Sequence, residues 1–263
     1  MFQACRLPDE IGKMVSLRQL EVEKTTLEEL PETVDNLSNL QTLKLNRCSK
    51  RRKLPNDMGK MVSLRHLEAE GCSRIQCFPR GIGKLRDLET LSKFVVSEEG
   101  ADIGERKDLN NLRGELIISN IKGIGNEAIL KDKEHLRHLT LSFNNDDDEA
   151  VQSVLEFLEP HPNLEKLDIF DYSGSKFPSW MEFPNWEGRS IMLRQLRFRS
   201  CKKLKVLPRL DFLECLELEE LDSVSPIMGL QVLNGDSVDI SAISAPVIAF
   251  PKLKELSIRK MKH

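Results

Sequence analysis

The feature that most constrains this chain is a recurring Leu-x-x-Leu-x-Leu. Leu17, Leu20 and Val22 fit it, Leu40, Leu43 and Leu45 fit it again 23 residues on, and Leu64, Leu67 and Ala69 follow after 24 more. The first and third of these units are 47 residues apart, which is also the separation of a verbatim echo: GKMVSLR is written at Gly12–Arg18 and again at Gly59–Arg65. Looser units follow at Leu88 and Leu91, at Leu116 and Ile118, and at Leu136, Leu139 and Leu141. Further units start at Leu164, Leu193, Leu213 and Leu253. Self-similarity at a period in the twenties is the mark of a stacked-repeat architecture.

The spacing carries a physical reading. The middle of each motif alternates with period two, so it is a short strand with leucines facing inward and the residues between them facing outward. Several strands are followed by an apolar residue and proline: Leu30-Pro31, Leu54-Pro55, Phe78-Pro79, Phe177-Pro178 and Leu207-Pro208, with Leu7-Pro8 ahead of the first complete unit. Proline cannot donate to a strand ladder and turns the chain away from it. No unit can bury its own leucines; stacking on neighbours does so. The expectation is an α/β repeat domain of about ten units over residues 1–263. One parallel sheet lines the concave side of a curved solenoid, and the convex side is mostly irregular.

The residue three places after the last inward strand position is patterned too: Thr25, Cys48, Cys72, Asn144, Tyr172, Cys201 and Leu221. Small polar groups and thiols there can satisfy backbone groups where the strand turns. That reads the cysteines as a buried turn ladder rather than a redox or metal set. Departures from the period are informative. Between Leu136 and Leu164 the step grows to 28, and the extra length holds DDDEAVQSVLEFLEP. Asp147 or Asp148 can cap a helix there, Val151, Val154, Leu155 and Leu158 form one face, and Pro160 stops it. Two stretches, 94–109 and 222–250, lose the period and are expected to be irregular loops.

Composition removes several function classes. The net charge of −3 argues against a nucleic-acid binder, which would be basic. No apolar run approaches the ~18 residues of a membrane helix, so no membrane span is expected. MFQACRLPDEIG does not read as a signal peptide. Six cysteines make no CxxC pair and meet no HxxxH, so reduced thiols and no metal are expected. The histidines His66, His135, His138, His161 and His263 lack any nucleophile context, so no catalytic residue and no enzyme is expected. The KRRK run at Lys50–Lys53 reads as a solvated return loop, or as a nuclear import or acid-binding patch.

The outward strand positions carry the most interpretable pattern. The residues between the two inward positions run Glu21, Lys44, Glu68, Ser92, Ile117, Thr140, Asp168, Arg197, Glu217, Ser257. One step further along each strand the series is Glu23, Asn46, Glu70, Ser119, Ser142, Phe170, Arg199, Glu219, Arg259. Neighbouring strands lie ~4.8 Å apart, so Glu21–Lys44–Glu68 and Asp168–Arg197–Glu217 are rows of alternating charge. Such rows stabilise register by ~0.2–1 kcal/mol per pair, or form a polar recognition surface anchored by Phe170 beside Arg197 and Arg199. The candidate protein-binding set on this face is Phe170, Asp168, Arg197, Arg199, Glu217 and His138. Glu21, Lys44 and Glu68 are candidates for an intramolecular contact.

At this level of detail the text resembles the leucine-rich-repeat region of plant intracellular immune receptors, those built from a coiled coil, a nucleotide-binding domain and C-terminal repeats. LPDEIGKMVSLRQLEV looks like their repeat unit, DLNNLRGELIISNI (Asp108–Ile121) like a junction segment, and EPHPNLEKLDIFDYSGSKFPSWM (Glu159–Met181) like a later one. FPKLKELSIRKM (Phe250–Met261) resembles the unit after the long loop, whereas LDFLECLELEELDSV lacks the usual glycine. The resemblance implies a leucine-rich-repeat solenoid of horseshoe form and a non-enzymatic, autoinhibitory recognition module for plant defense. Its partners would be a pathogen effector or a modified host protein (a guardee) and the receptor's own nucleotide-binding domain. No GxxxxGK[ST] occurs here, so ADP or ATP would sit in that absent domain, and no cofactor is expected in this chain. Units from about Leu7 to Leu91 would face the nucleotide-binding domain, and units from Leu136 onward the ligand. The implied location is the cytoplasm, with the nucleus as a second. The alternative is a stand-alone repeat scaffold, such as a ubiquitin-ligase substrate adaptor.

Overall fold

Strands fall where the sequence alternates. The computed structural model describes residues 7–25, 27, 29–48, 54–72, 74–97, 100–101, 103–122, 130–144, 150–182, 192–204, 207, 210, 212–223 and 250–261. Within these, β1 (Gln19–Glu21), β2 (Thr42–Lys44), β3 (His66–Glu68) and β4 (Thr90–Leu91) form one parallel ladder in chain order. A second ladder holds β5 (Lys93–Val95), β6 (Gly114–Ile121), β7 (Leu136–Phe143), β8 (Lys166–Phe170), β9 (Gln195–Arg199), β10 (Cys215–Glu219) and β11 (Glu255–Arg259). Inward residues are in register from strand to strand, as in Leu139–Leu167–Leu196–Leu216–Leu256. Interior ones are fully covered, among them Leu43, Leu67, Leu139, Leu167 and Leu216. At the outer strands the same positions are not: Leu17 and Leu20 are half-buried, and Leu256 and Ile258 are 45% and 41% exposed.

The two ladders meet at a strand broken in its middle. Leu91 and Phe94 both point inward but are three residues apart instead of two, because Ser92 is an extra, buried residue between them. Its hydroxyl accepts the Ala69 amide at 2.9 Å, and its own amide donates to the Leu67 carbonyl at 3.3 Å. This is a one-residue bulge, which bends the strand and breaks the ladder. It corrects two expectations. Ser92 is not on the outward face; Lys93 stands there, in register with Ile117. The stretch from residue 94 also opens as strand β5, with Phe94 stacked on Phe78 at 5.3 Å, and continues to a 3-10 turn at Ile103–Arg106. The extra residue shifts the period and hides it in the sequence.

The return side, expected to be mostly irregular, carries a row of such turns: Asp9–Lys13, Glu32–Asn36, Met58–Lys60, Ile82–Lys84 and Ile103–Arg106. Pro8 and Pro31 hold the extended backbone that leads into the first two. Their stacking explains the echoed glycine. A Cβ on Gly12 would overlap the Thr33 carbonyl of the next unit, one on Gly59 would lie 2.6 Å from the Gly81 carbonyl oxygen, and Gly83 meets Glu105 in the same way. In the second unit this place is taken by Asp35. Its carboxylate accepts the next unit's Asp57 amide at 2.8 Å, while Oδ1 is buried with no protein donor.

The expected return-side helix is α1 (Ala150–Phe157), with Val151, Val154, Leu155 and Leu158 buried. Its Glu156 carboxylate accepts the amide and hydroxyl of Ser179 at the start of α2 (Ser179–Glu182), and Trp180 donates its indole N–H to the Leu155 carbonyl at 3.1 Å. Asp147, Asp148, Lys50–Lys53 and the long segment at 224–249 lie outside the described residues.

Near the ends of eight strands, β1–β3, β6 and β8–β11, the chain adopts one conformation. Lys24, Arg47, Asn120, Asp171, Ser200, Glu220 and Lys260 have φ between 51° and 59°, and Gly71 has φ 68°. This left-handed region costs a non-glycine residue ~1–2 kcal/mol. The following residue then points inward. Cys48 donates its thiol to the Val22 carbonyl at 2.9 Å, Cys72 to Leu45 at 2.7 Å, and Cys201 to Ile169 at 3.6 Å, each one repeat back. Burial pushes the Cys201 thiol up to about 12, so it is a hydrogen-bonded core group and not a reactive thiolate.

Two stability outcomes follow from the return side. Gly59→Ala is expected to cost about 1–3 kcal/mol in chemical denaturation, since the backbone it meets cannot move without shifting a unit. Burial pushes the Asp35 carboxyl up to about 6, with Glu32 and Asp57 adding to the rise. A carboxyl that binds its proton more tightly when folded contributes stability at low pH and loses it as pH climbs from about 4 through about 6. Asp35→Asn is therefore expected to raise stability near pH 7.5 by on the order of 1 kcal/mol and to flatten that part of the pH profile.

Candidate functional site

The outward face of β7 to β11 gathers the candidate residues. Strands β6 to β8 place Glu115, His138 and Lys166 in one row, and β7 to β10 place Thr140, Asp168, Arg197 and Glu217 in the next. His138 bridges two strands, with Nε2 2.9 Å from Asp168 Oδ2 and Nδ1 3.2 Å from Glu115 Oε1. Lys166 stands 3.7 Å from the same Asp168 oxygen. The Asp168 side chain is only 7% exposed, and its Oδ1 has no donor.

Asp168 and Arg197 are in register as expected, yet no ion pair joins them. Arg197 leans the other way. Its Nε lies 3.5 Å from Glu217, its Nη2 lies 3.5 Å from Glu219, and its guanidinium carbon sits 5.7 Å from the Phe170 ring centroid. Two carboxylates and an aromatic face outcompete one carboxylate already held by His138 and Lys166. The expected row of three alternating charges is thus two separate clusters that share a strand boundary.

Glu219 is the centre of the second cluster, a role the sequence did not single out. Arg197, Arg199 at 3.7 Å and Lys260 at 3.0 Å all converge on it. The Lys260 hydrogen bond, and then Arg199, hold its carboxyl below the usual range. Its place beside Arg199 and Arg259 in the second outward series was the available signal. Lys260 also binds Glu220 at 3.1 Å, whose other oxygen takes the Ser200 hydroxyl at 2.7 Å. Phe170 remains half-buried beside this network.

At the other end, Lys44 lies 3.5 Å from Glu21 and 3.8 Å from Glu68, the row read from the sequence. Asn46 extends it by donating to Glu23 at 3.0 Å and Glu68 at 3.1 Å and accepting the Glu70 amide at 2.9 Å. Here each polar group has a partner from a neighbouring unit. The candidate residues therefore form two patches, separated by the bulged strand at Ser92–Lys93.

The chain has relatives among known plant proteins. Residues 103–224 match the family model described as R13L1/DRL21 leucine-rich repeats. The chain is 37% identical to the RGA4 protein of Solanum bulbocastanum over 95% of its own length, and 35% identical to disease resistance protein RGA2 of the same species over 94%. It spans 28% of the length of each. Disease resistance RPP13-like protein 4 of Arabidopsis thaliana is 30% identical over 66% of this chain and 21% of that protein. Among solved structures, a leucine-rich-repeat protein of Leptospira interrogans aligns over 97% of this chain and 70% of its own, at 17% identity and a TM-score of 0.47.

The geometry around Asp168 gives a further expected outcome. Removing the imidazole in His138→Ala strips a buried carboxylate of its hydrogen-bond donor, so about 1–3 kcal/mol is lost. Combining it with Asp168→Asn should cost less than the two changes added together, by urea denaturation of all four proteins.

Proposed function

From the premise that this chain is a defense-related leucine-rich-repeat domain of the plant disease-resistance type, we propose that it recognises a protein ligand through its outward strand face and restrains a neighbouring domain of the same receptor. The observation that carries the reading is the cluster on β8 to β10. A half-buried aromatic, Phe170, lies beside Arg197 and Arg199 on the outward strand face. Aromatic and arginine side chains are the usual anchors of protein interfaces.

The two patches suit two partners. The Glu21–Lys44–Glu68 row faces a nucleotide-binding domain that precedes the repeats, and the Phe170–Arg197–Arg199 patch faces a pathogen effector or a modified host protein. Any nucleotide belongs to that other domain. For the ligand to release the restraint, it must bind the released state better than the restrained one. The reading places the receptor in the cytoplasm or nucleus; no described helix is long and apolar enough to cross a membrane.

In the full receptor expressed in leaf cells, exchanging the charges in Lys44→Glu with Glu68→Lys is expected to raise resting cell-death signalling without any ligand. Phe170→Ala with Arg199→Glu is expected to abolish the ligand-dependent response and leave the resting level unchanged. Resting activity that does not respond to the first pair, or a full response from the second, would sink the corresponding half of the proposal.

A further inference from the structure

We draw no further inference here: the strongest candidate, the groove of about 730 Å³ beside the turns Ile82–Lys84 and Ile103–Arg106, lined by Arg80, Lys84, Arg86 and Lys107, carries nothing because Glu105 and Asp108 line it too and Glu98, Glu99 and Asp102, which adjoin it in sequence, lie outside the described residues, so its charge selects no ligand.

Discussion

No repeat in this chain can cover its own leucines, and the rest of the structure depends on that constraint. Most strands are three to five residues long and present one or two apolar side chains inward, far too few to form a core alone. Parallel stacking supplies the cover, so Leu64 and Leu67 are fully buried while the matching Leu17 and Leu20 of the outermost unit are not. Each buried leucine contributes roughly 1.5–3 kcal/mol, and all of it depends on the neighbouring unit staying in register.

Register is held on both sides of the leucine stack. On the return side, glycine lets one 3-10 turn approach the backbone of the next, and Asp35 replaces that approach with a hydrogen bond. At the strand ends, left-handed residues turn the chain so that a thiol reaches the carbonyl one repeat back. The buried carbonyls where the ladder ends would otherwise lack donors. Cys48, Cys72 and Cys201 therefore serve the stack, and burial takes Cys201 out of thiolate chemistry.

With the inward side committed to cohesion, the outward side is free to vary. Its two ends differ. The Glu21–Lys44–Glu68 row and Asn46 satisfy one another, as groups in a register-holding network do. The face from β8 to β10 is built differently: the half-buried Phe170 lies beside Arg197, and Arg197 and Arg199 converge on Glu219.

Much of this was legible in the sequence. The Leu-x-x-Leu-x-Leu spacing determines strands, inward residues and parallel order, because a short repeat has one way to bury its leucines. The thiol ladder and the α1 face were readable for the same reason, since each recurs at a fixed offset. Only the tertiary structure decided the remainder. The bulge at Ser92 moves Lys93 onto the outward face, and one inserted residue looks in sequence like loss of the repeat. The left-handed turns are invisible because only one of eight is glycine. The choice of Arg197 between Asp168 and Glu219 could not be read either. Strand register places a charge beside two candidates, and competition among side chains in space selects the partner.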